Sequence, residues 1–358
     1  HSSPTSAMDI SFQNSRTNLV QRLLDFLWHQ WSILGVAGQS DAAENRIIDP
    51  EALLLVTTRF GRYDSRLLDE VIDWLTTNGQ RINLQRLRRL HDEWPLADPR
   101  VLAAISHMLS KQSVMRKWRA LATPIAAEVQ PEPLFMGMDG IATPVFGEPD
   151  PDFLRYGLLR GPVECRGMSL PPDSRKAANL LCTLRALFGV NARAEIVAWL
   201  LTHESGHPAA IARDTGYFSK SIQHTLNEME DSGRIHSRRE GREKIFWLKP
   251  ADWKFLAAGA DPAGFPLWVD WMPVFSALHI FVDALGEAGL DRAPLEIQSI
   301  QLRQAIATAM PALTRAGLAQ RLTASRKQSG QGLIAAFFVD LEMLGNTIHA
   351  HPIANHGS

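Results

Sequence analysis

Apolar side chains recur at helical spacing along most of the chain. From Arg16 to Leu34 the segment NLVQRLLDFLWHQWSIL carries them with Trp28 and Trp31 on one stripe, which predicts a core or subunit-interface helix. Asp49-Pro50-Glu51 reads as cap and first turn of a helix ending at Gly61, and SRLLDEVIDWLTTNG as an amphipathic helix stopping at Gly79. Two further helical pieces follow, INLQRLRRLHDEW and ADPRVLAAISHMLSK, the latter opened by Asp98-Pro99. Between residues 123 and 173 prolines and glycines exclude long helices. Leu134, Phe135, Val145 and Phe146 nevertheless predict an ordered, irregular connector packed between two halves. Helix returns from Leu267 to Ala350, with breaks expected at Pro273, Gly286/Gly289, Pro311 and Gly330/Gly332.

The densest punctuation lies between Ala192 and Leu248. Ile196, Val197, Leu200 and Leu201 share one helical face, Pro208 starts the short helix PAAIARD, and Gly216 supplies the turn that ends it. A third helix opens near Ser219 as N-cap and buries Ile222, Leu226 and Met229 at i, i+4, i+7, before Gly233 stops it. RIHSRRE and REKIFWL then read as a hairpin joined around Glu240-Gly241. With the apolar stripe inward, Lys220, His224 and Asn227 point outward, with Ser221 and Gln223 on the flanks. From Arg234 to Lys249 six Lys/Arg (234, 238, 239, 242, 244, 249) oppose Glu240 and Glu243, a local +4 in a chain of formal charge −1. Such a local patch is the mark of a nucleic-acid contact, whereas a solvated hairpin on a protein-contact module would carry charge without that use.

The run IARDTGYFSKSIQHTLNEMEDSGRI, followed by RREGREKIFWL, resembles the DNA-binding core of ArsR/MarR-type bacterial transcription regulators. The resemblance covers about sixty residues. It implies a winged helix-turn-helix, with a recognition helix at Ser219 to Ser232 and a wing at Arg234 to Leu248. The cysteine pairs with which many ArsR-type sensors hold metal are absent, so metal sensing does not carry over.

LLLVTTRFGRYDSRLLDEVIDWL also repeats as LLCTLRALFGVNARAEIVAWL: a leucine-rich helix, Phe-Gly (60–61 and 188–189), then Glu, two β-branched residues and Trp-Leu (Trp74 and Trp199). An internal duplication is the reading. The first copy would then be a second, degenerate helix-turn-helix, its second helix at Leu84 to Leu90 and its third from Asp98. Arg86, Arg88, Arg89, Lys111, Arg116, Lys117 and Arg119 give it positive charge, on a DNA face or a merely solvated one.

Composition adds limits. Two cysteines, Cys165 and Cys182, exclude a disulfide framework and suit the cytoplasm. The N-terminus lacks the pattern of an export signal, and the most apolar stretch is interrupted by Asp270, Pro273 and Asp283, so no membrane partner is expected. The expected organisation is an N-terminal helix in 1–45, its first residues a tag remnant; a helical, helix-turn-helix-like module in 46–122; a connector in 123–173; the winged module in 174–258; and a helical domain in 264–350.

Enzymatic signatures are weaker. His203-Glu204-Ser205-Gly206-His207 matches the zinc-peptidase pattern H-E-x-x-H, whose chemistry needs both histidines on one helical face. Ser-Gly between them and Pro208 after them place the motif in a turn. Gly330-Gln-Gly332 lacks the preceding strand that a dinucleotide-binding turn requires. No cofactor is implied. The expected function is a repressor binding double-stranded DNA as a homodimer, through Ser219, Lys220, Ser221, Gln223, His224, Asn227, Arg238, Arg239, Arg242 and Lys244. The alternatives are a winged-helix interaction scaffold or an antitoxin-like protein holding a protein partner, and, third, a zinc enzyme.

Overall fold

The computed structural model describes residues 11–38, 40–124, 130–256 and 264–349. The tag-like N-terminus, most of the Gly/Ala/Pro run from Ala257 and the tail from Ala350 lie outside the described residues. The protein is mainly helical, with a small antiparallel two-stranded sheet and a two-residue parallel pair. Among the described residues no helix is long and apolar enough to cross a membrane.

In chain order the first elements are α1 (Phe12–Ile33), α2 (Pro50–Phe60), α3 (Ser65–Asn78), α4 (Leu84–Glu93) and α5 (Pro99–Ser110), followed by a 3₁₀ segment at Ser113–Leu121. The connector holds β1 (Glu132–Pro133), α6 (Pro151–Leu154) and β2 (Leu158–Leu159), with β1 and β2 parallel. Then come α7 (Leu180–Phe188), α8 (Ala192–Thr202), α9 (Pro208–Thr215), α10 (Ser219–Glu230), β3 (Ile235–Glu240) and β4 (Glu243–Leu248). The chain continues with α11 (Trp271–Leu285), α12 (Leu295–Arg315), α13 (Thr323–Lys327) and α14 (Gly330–His349).

Local chemistry explains most boundaries. Asp49 and Asp98 each accept hydrogen bonds from the first free N–H groups of α2 and α5, and each is followed by proline at the helix start. Gly216, with φ +76°, ends α9 in the left-handed conformation. Three expectations need correction. Ser219 is not the cap of α10: Phe218 holds that position with no side-chain cap bond, and Ser219 is the first helical residue. Pro311 does not break α12: its ring forfeits one N–H and crowds the carbonyl one turn back, but buried Ala309, Ala312 and Leu313 hold the helix on both sides and it runs on to Arg315. Pro273 and Gly332 likewise lie inside α11 and α14, near their N-terminal ends. In the connector Leu134 is buried, but Phe146 is 86% exposed, so only part of its apolar content packs.

The described residues fall into two compact units. One comprises the start of α1, residues 138–141 and the chain from Pro273. It is held by aromatic edges, Phe12 on Phe338 and Phe281 on Phe337, and by buried Asp340, which accepts from both the N–H and the hydroxyl of Ser325 at 2.8 Å.

The other unit spans residues 27–137 and 142–272 and contains both copies of the repeat. They share an order of four helices, α2–α5 and α7–α10, and the equivalent pairs Trp74/Trp199 and Glu70/Glu195 are all buried. A hairpin follows only the second set among the described residues. A buried ionic network ties the sets together. Arg86 donates to Asp49 (2.5 and 2.7 Å) and to Glu51 (2.6 Å), while Arg185 grips Glu51 with both terminal nitrogens and also binds Glu195. Arg86 is therefore 3% exposed and spoken for, which corrects its assignment to a surface charge. Burial alone would raise the Asp49 carboxyl, but the Arg86 charge and hydrogen bonds hold it below the usual carboxylate range.

Candidate nucleic-acid interface

The stretch from α8 through β4 is assembled on one core. Ile196, Val197 and Leu200 of α8, Ile211 of α9, Ile222 and Leu226 of α10, and Ile235, Phe246 and Leu248 of the hairpin are buried together, with Met229 packed against them. The stretch between α8 and α9 adds a third edge, since Gly206 and Phe246 exchange both backbone hydrogen bonds (2.8 and 2.9 Å). A Cβ at Gly206 would fall 2.3 Å from the Trp199 ring, so only glycine lets this turn approach the hairpin. His203 stacks on Trp199 at 3.7 Å and its Nδ1 lies 2.7 Å from the Trp199 carbonyl oxygen. α8 ends at Thr202 and α9 begins at Pro208, so His203 and His207 occupy the intervening turn and share no helical face. That separates the two histidines from the geometry that zinc-peptidase chemistry needs.

The first copy grips the turn between α9 and α10. Arg86 Nε donates to the Thr215 carbonyl at 2.6 Å, and Asn83 Nδ2 donates to the Tyr217 hydroxyl at 2.6 Å. Burial, reinforced by the charge of Glu195, pushes the Tyr217 hydroxyl well above its ordinary pKa, so it stays a neutral partner.

The exposed face of α10 presents Ser219, Lys220, Ser221, Gln223, His224 and Asn227, as the periodicity predicts. Lys220 has no ion pair among the described residues, whereas His224 Nε2 lies 3.1 Å from Glu228 one turn on. The hairpin pairs Ile235 with Leu248 through Glu240 with Glu243, leaving Gly241 and Arg242 at its tip. Arg239 and Arg242 are exposed and unpaired among the described residues. Arg238 is held by Glu240 at 2.6 Å and lies over the Trp247 ring. Lys244 is committed to α10: it donates to Glu230 Oε2 at 2.6 Å and to Asn227 Oδ1 at 3.2 Å. Hydrogen bonds from Lys244 and Ser237 hold the Glu230 carboxyl below its usual range. Lys244 thus serves as a brace between helix and hairpin.

Folding also brings acids that the linear count of the hairpin left out. Over residues 219–252, seven Lys/Arg (220, 234, 238, 239, 242, 244, 249) face six Asp/Glu (228, 230, 231, 240, 243, 252), a net +1. The free cations of this face are concentrated at the start of α10 and at the hairpin tip. Tyr217, Asn83 and Arg86, which fix the turn, carry no sequence signal because their contacts span 129 and 134 residues. Comparison with protein-family models, with curated proteins and with solved structures returns no match to this chain.

Proposed function

We propose that residues 174–258 form a winged helix-turn-helix and that the protein is a repressor binding double-stranded DNA. In this reading α10 enters the major groove with Lys220, Gln223, His224 and Asn227 toward base edges, while Arg239 and Arg242 hold phosphate from the wing. The observation that carries it is the pairing of an exposed polar face on α10 with free arginines at the tip of the adjoining hairpin, both mounted on one core. Arg238 and Lys244 contribute mainly to positioning, since each already has a carboxylate partner.

Two copies acting as a cytoplasmic homodimer would match a palindromic site. Exposed Leu295, Ile297 and Ile300 on α12, and Val339 and Met343 on α14, offer apolar surface for pairing. Sedimentation of the wild type against Val339→Glu/Met343→Glu reads this directly: a wild type that sediments as a monomer removes the dimer.

The test of DNA binding is fluorescence anisotropy with duplex from the protein's own promoter at two salt concentrations. Arg239→Ala/Arg242→Ala should weaken binding about tenfold or more at the lower salt and flatten its salt dependence. Unchanged affinity would remove the wing contact. A second reading, a winged-helix scaffold or antitoxin-like protein holding a protein partner, is favoured by one feature: Glu228, Glu230 and Asp231 crowd the end of α10 and reduce the net charge of the face. Stoichiometric co-purification of one partner, without any salt-sensitive DNA complex, would select it.

A further inference from the structure

Beside α10, on the side away from the hairpin tip, lies a trench of about 840 Å³ bordered by α4, the 3₁₀ segment Ser113–Leu121 and α10 itself. Its α10 wall is Ser221 and Thr225, one turn apart, and its cations are Arg88, Arg89, Lys117 and Arg193, above buried Arg86. No Asp or Glu lines it. Arg193 is held by Glu228 at 2.6 Å, but Arg88 and Lys117 are exposed and have no ion pair among the described residues. Arg89 lies with its guanidinium 3.8 Å over the ring of Phe218, which is itself 70% exposed at the start of α10. Arg116 and Arg119, both exposed, extend the charge along the same 3₁₀ segment. The α4 carboxylates Asp92 and Glu93 line an adjoining cavity toward α9, which shares Arg88, Arg89 and Phe218 with the trench, so the trench end at Lys117 lies away from them.

Unpaired cations in a concave surface with an apolar floor, here Trp118 and Leu121, concentrate positive potential. A helix lying in the major groove, about 12 Å wide, runs between two phosphate strands. The hairpin tip can serve one of them. We propose that this trench is the phosphate track for the other strand, so that the first copy of the repeat supplies half of the backbone contacts of the second copy's recognition helix. The proposal rests on the DNA-binding reading and adds a contact surface to it. Its cations come from separate elements, Arg88 and Arg89 on α4 and Lys117 on the 3₁₀ segment, which suits several phosphates of a backbone better than one compact anion.

The experiment uses the full chain and a labelled random-sequence duplex, because a phosphate track acts without regard to sequence. Arg88→Glu/Lys117→Glu should weaken binding about tenfold or more and lower the slope of log affinity against log salt by about two. Arg88→Lys should restore most of the affinity. If the double variant melts at a lower temperature than wild type, Lys117→Gln is read in its place, with a slope change of about one. Wild-type binding with affinity and slope unchanged in these variants overturns the trench and leaves the recognition helix standing. No salt-sensitive binding of either the random or the promoter duplex by wild type overturns both. Loss of fluorescent ATP binding in Arg88→Glu/Lys117→Glu, with duplex affinity unaltered, would mark a small-anion site and sink the proposal.

Discussion

Arg185 on α7 and Glu51 on α2 meet in a two-pronged ion pair, each terminal nitrogen 2.7 Å from one carboxylate oxygen, with both side chains out of contact with solvent. Glu51 also takes Arg86 and the N–H of Asn83, so one carboxylate satisfies groups from both halves of the repeat.

Its removal should be costly. Glu51→Gln sets an amide NH2 against groups that can only donate, the guanidinium groups of Arg86 and Arg185 and the N–H of Asn83, and should lower unfolding stability by about 3–5 kcal/mol in urea titrations. Glu195→Gln should cost clearly less. Its Oε2 has no partner, and three carboxylates (Asp49, Glu51, Glu195) face two arginines (Arg86, Arg185), so this change neutralises the excess negative charge. Equal losses in the two variants would contradict the unequal roles assigned here.

Gly216 offers a second comparison. Its φ of +76° disfavours any side chain, and an added Cβ would come within 2.8 Å of Leu90 Cδ2 on α4. Gly233 has a similar φ of +69° with nothing within 4 Å. Gly233→Ala should cost about 1 kcal/mol from the backbone alone, and Gly216→Ala about 2–3 kcal/mol. Thermal melts that rank them the other way would argue that α4 does not press on the turn.

Acid should loosen the region around Glu44. Burial would raise its carboxyl, but hydrogen bonds from His29 and Arg46 outweigh that and hold the pKa at about 2. A depressed native pKa means the stabilisation is complete above the ordinary value of 4.5 and is lost as pH falls from there toward about 2. The contribution is of order 3 kcal/mol at neutral pH. In Glu44→Gln the drop in stability between pH 5 and pH 3 should shrink by about 2 kcal/mol, the remainder being lost below pH 3, as read by urea midpoints; an unaltered pH profile would refute it.

The legible part of the structure was its punctuation. Asp49-Pro50, Asp98-Pro99, Pro208 and Gly216 mark boundaries by chemistry that acts within a turn, and the hairpin register followed from Gly241 and its flanking strands. The face of α10 followed from the spacing of Ile222 and Leu226. What the sequence hid are contacts across distance. Arg86 sits in RLRRLH beside Arg88 and looks equally solvated, yet its partners Asp49 and Glu51 lie 37 and 35 residues away. Lys244 counted toward the charge of the hairpin until α10 folded Glu230 against it. Pro311 shows the converse: a strong local breaker loses when packing holds the helix on both sides.

The two cysteines should separate by reactivity. Burial pushes the Cys182 thiol up to about 11, so little thiolate forms at neutral pH and a reagent cannot reach it. Cys165 is exposed, although partial desolvation and the charges of Asp73 and Asp69 raise its pKa too. A disulfide-exchange reagent should titrate one thiol in the native protein and the second only in denaturant, and Cys165→Ser should abolish the first. Two accessible native thiols would refute the packing of α7.

The position of Glu51 bears on where the polypeptide can be divided. A fragment limited to residues 174–258 keeps α7 through β4, yet it strips Arg185 of the carboxylate it grips most fully and frees Tyr217 from Asn83. Restoring those partners requires α2 and α4, and α3 is anchored in turn by Trp74, which donates to the Leu34 carbonyl at the end of α1. The smallest piece that keeps every partner of this network is therefore nearly the whole unit, and neither half of the repeat can be cut free without leaving buried charge behind.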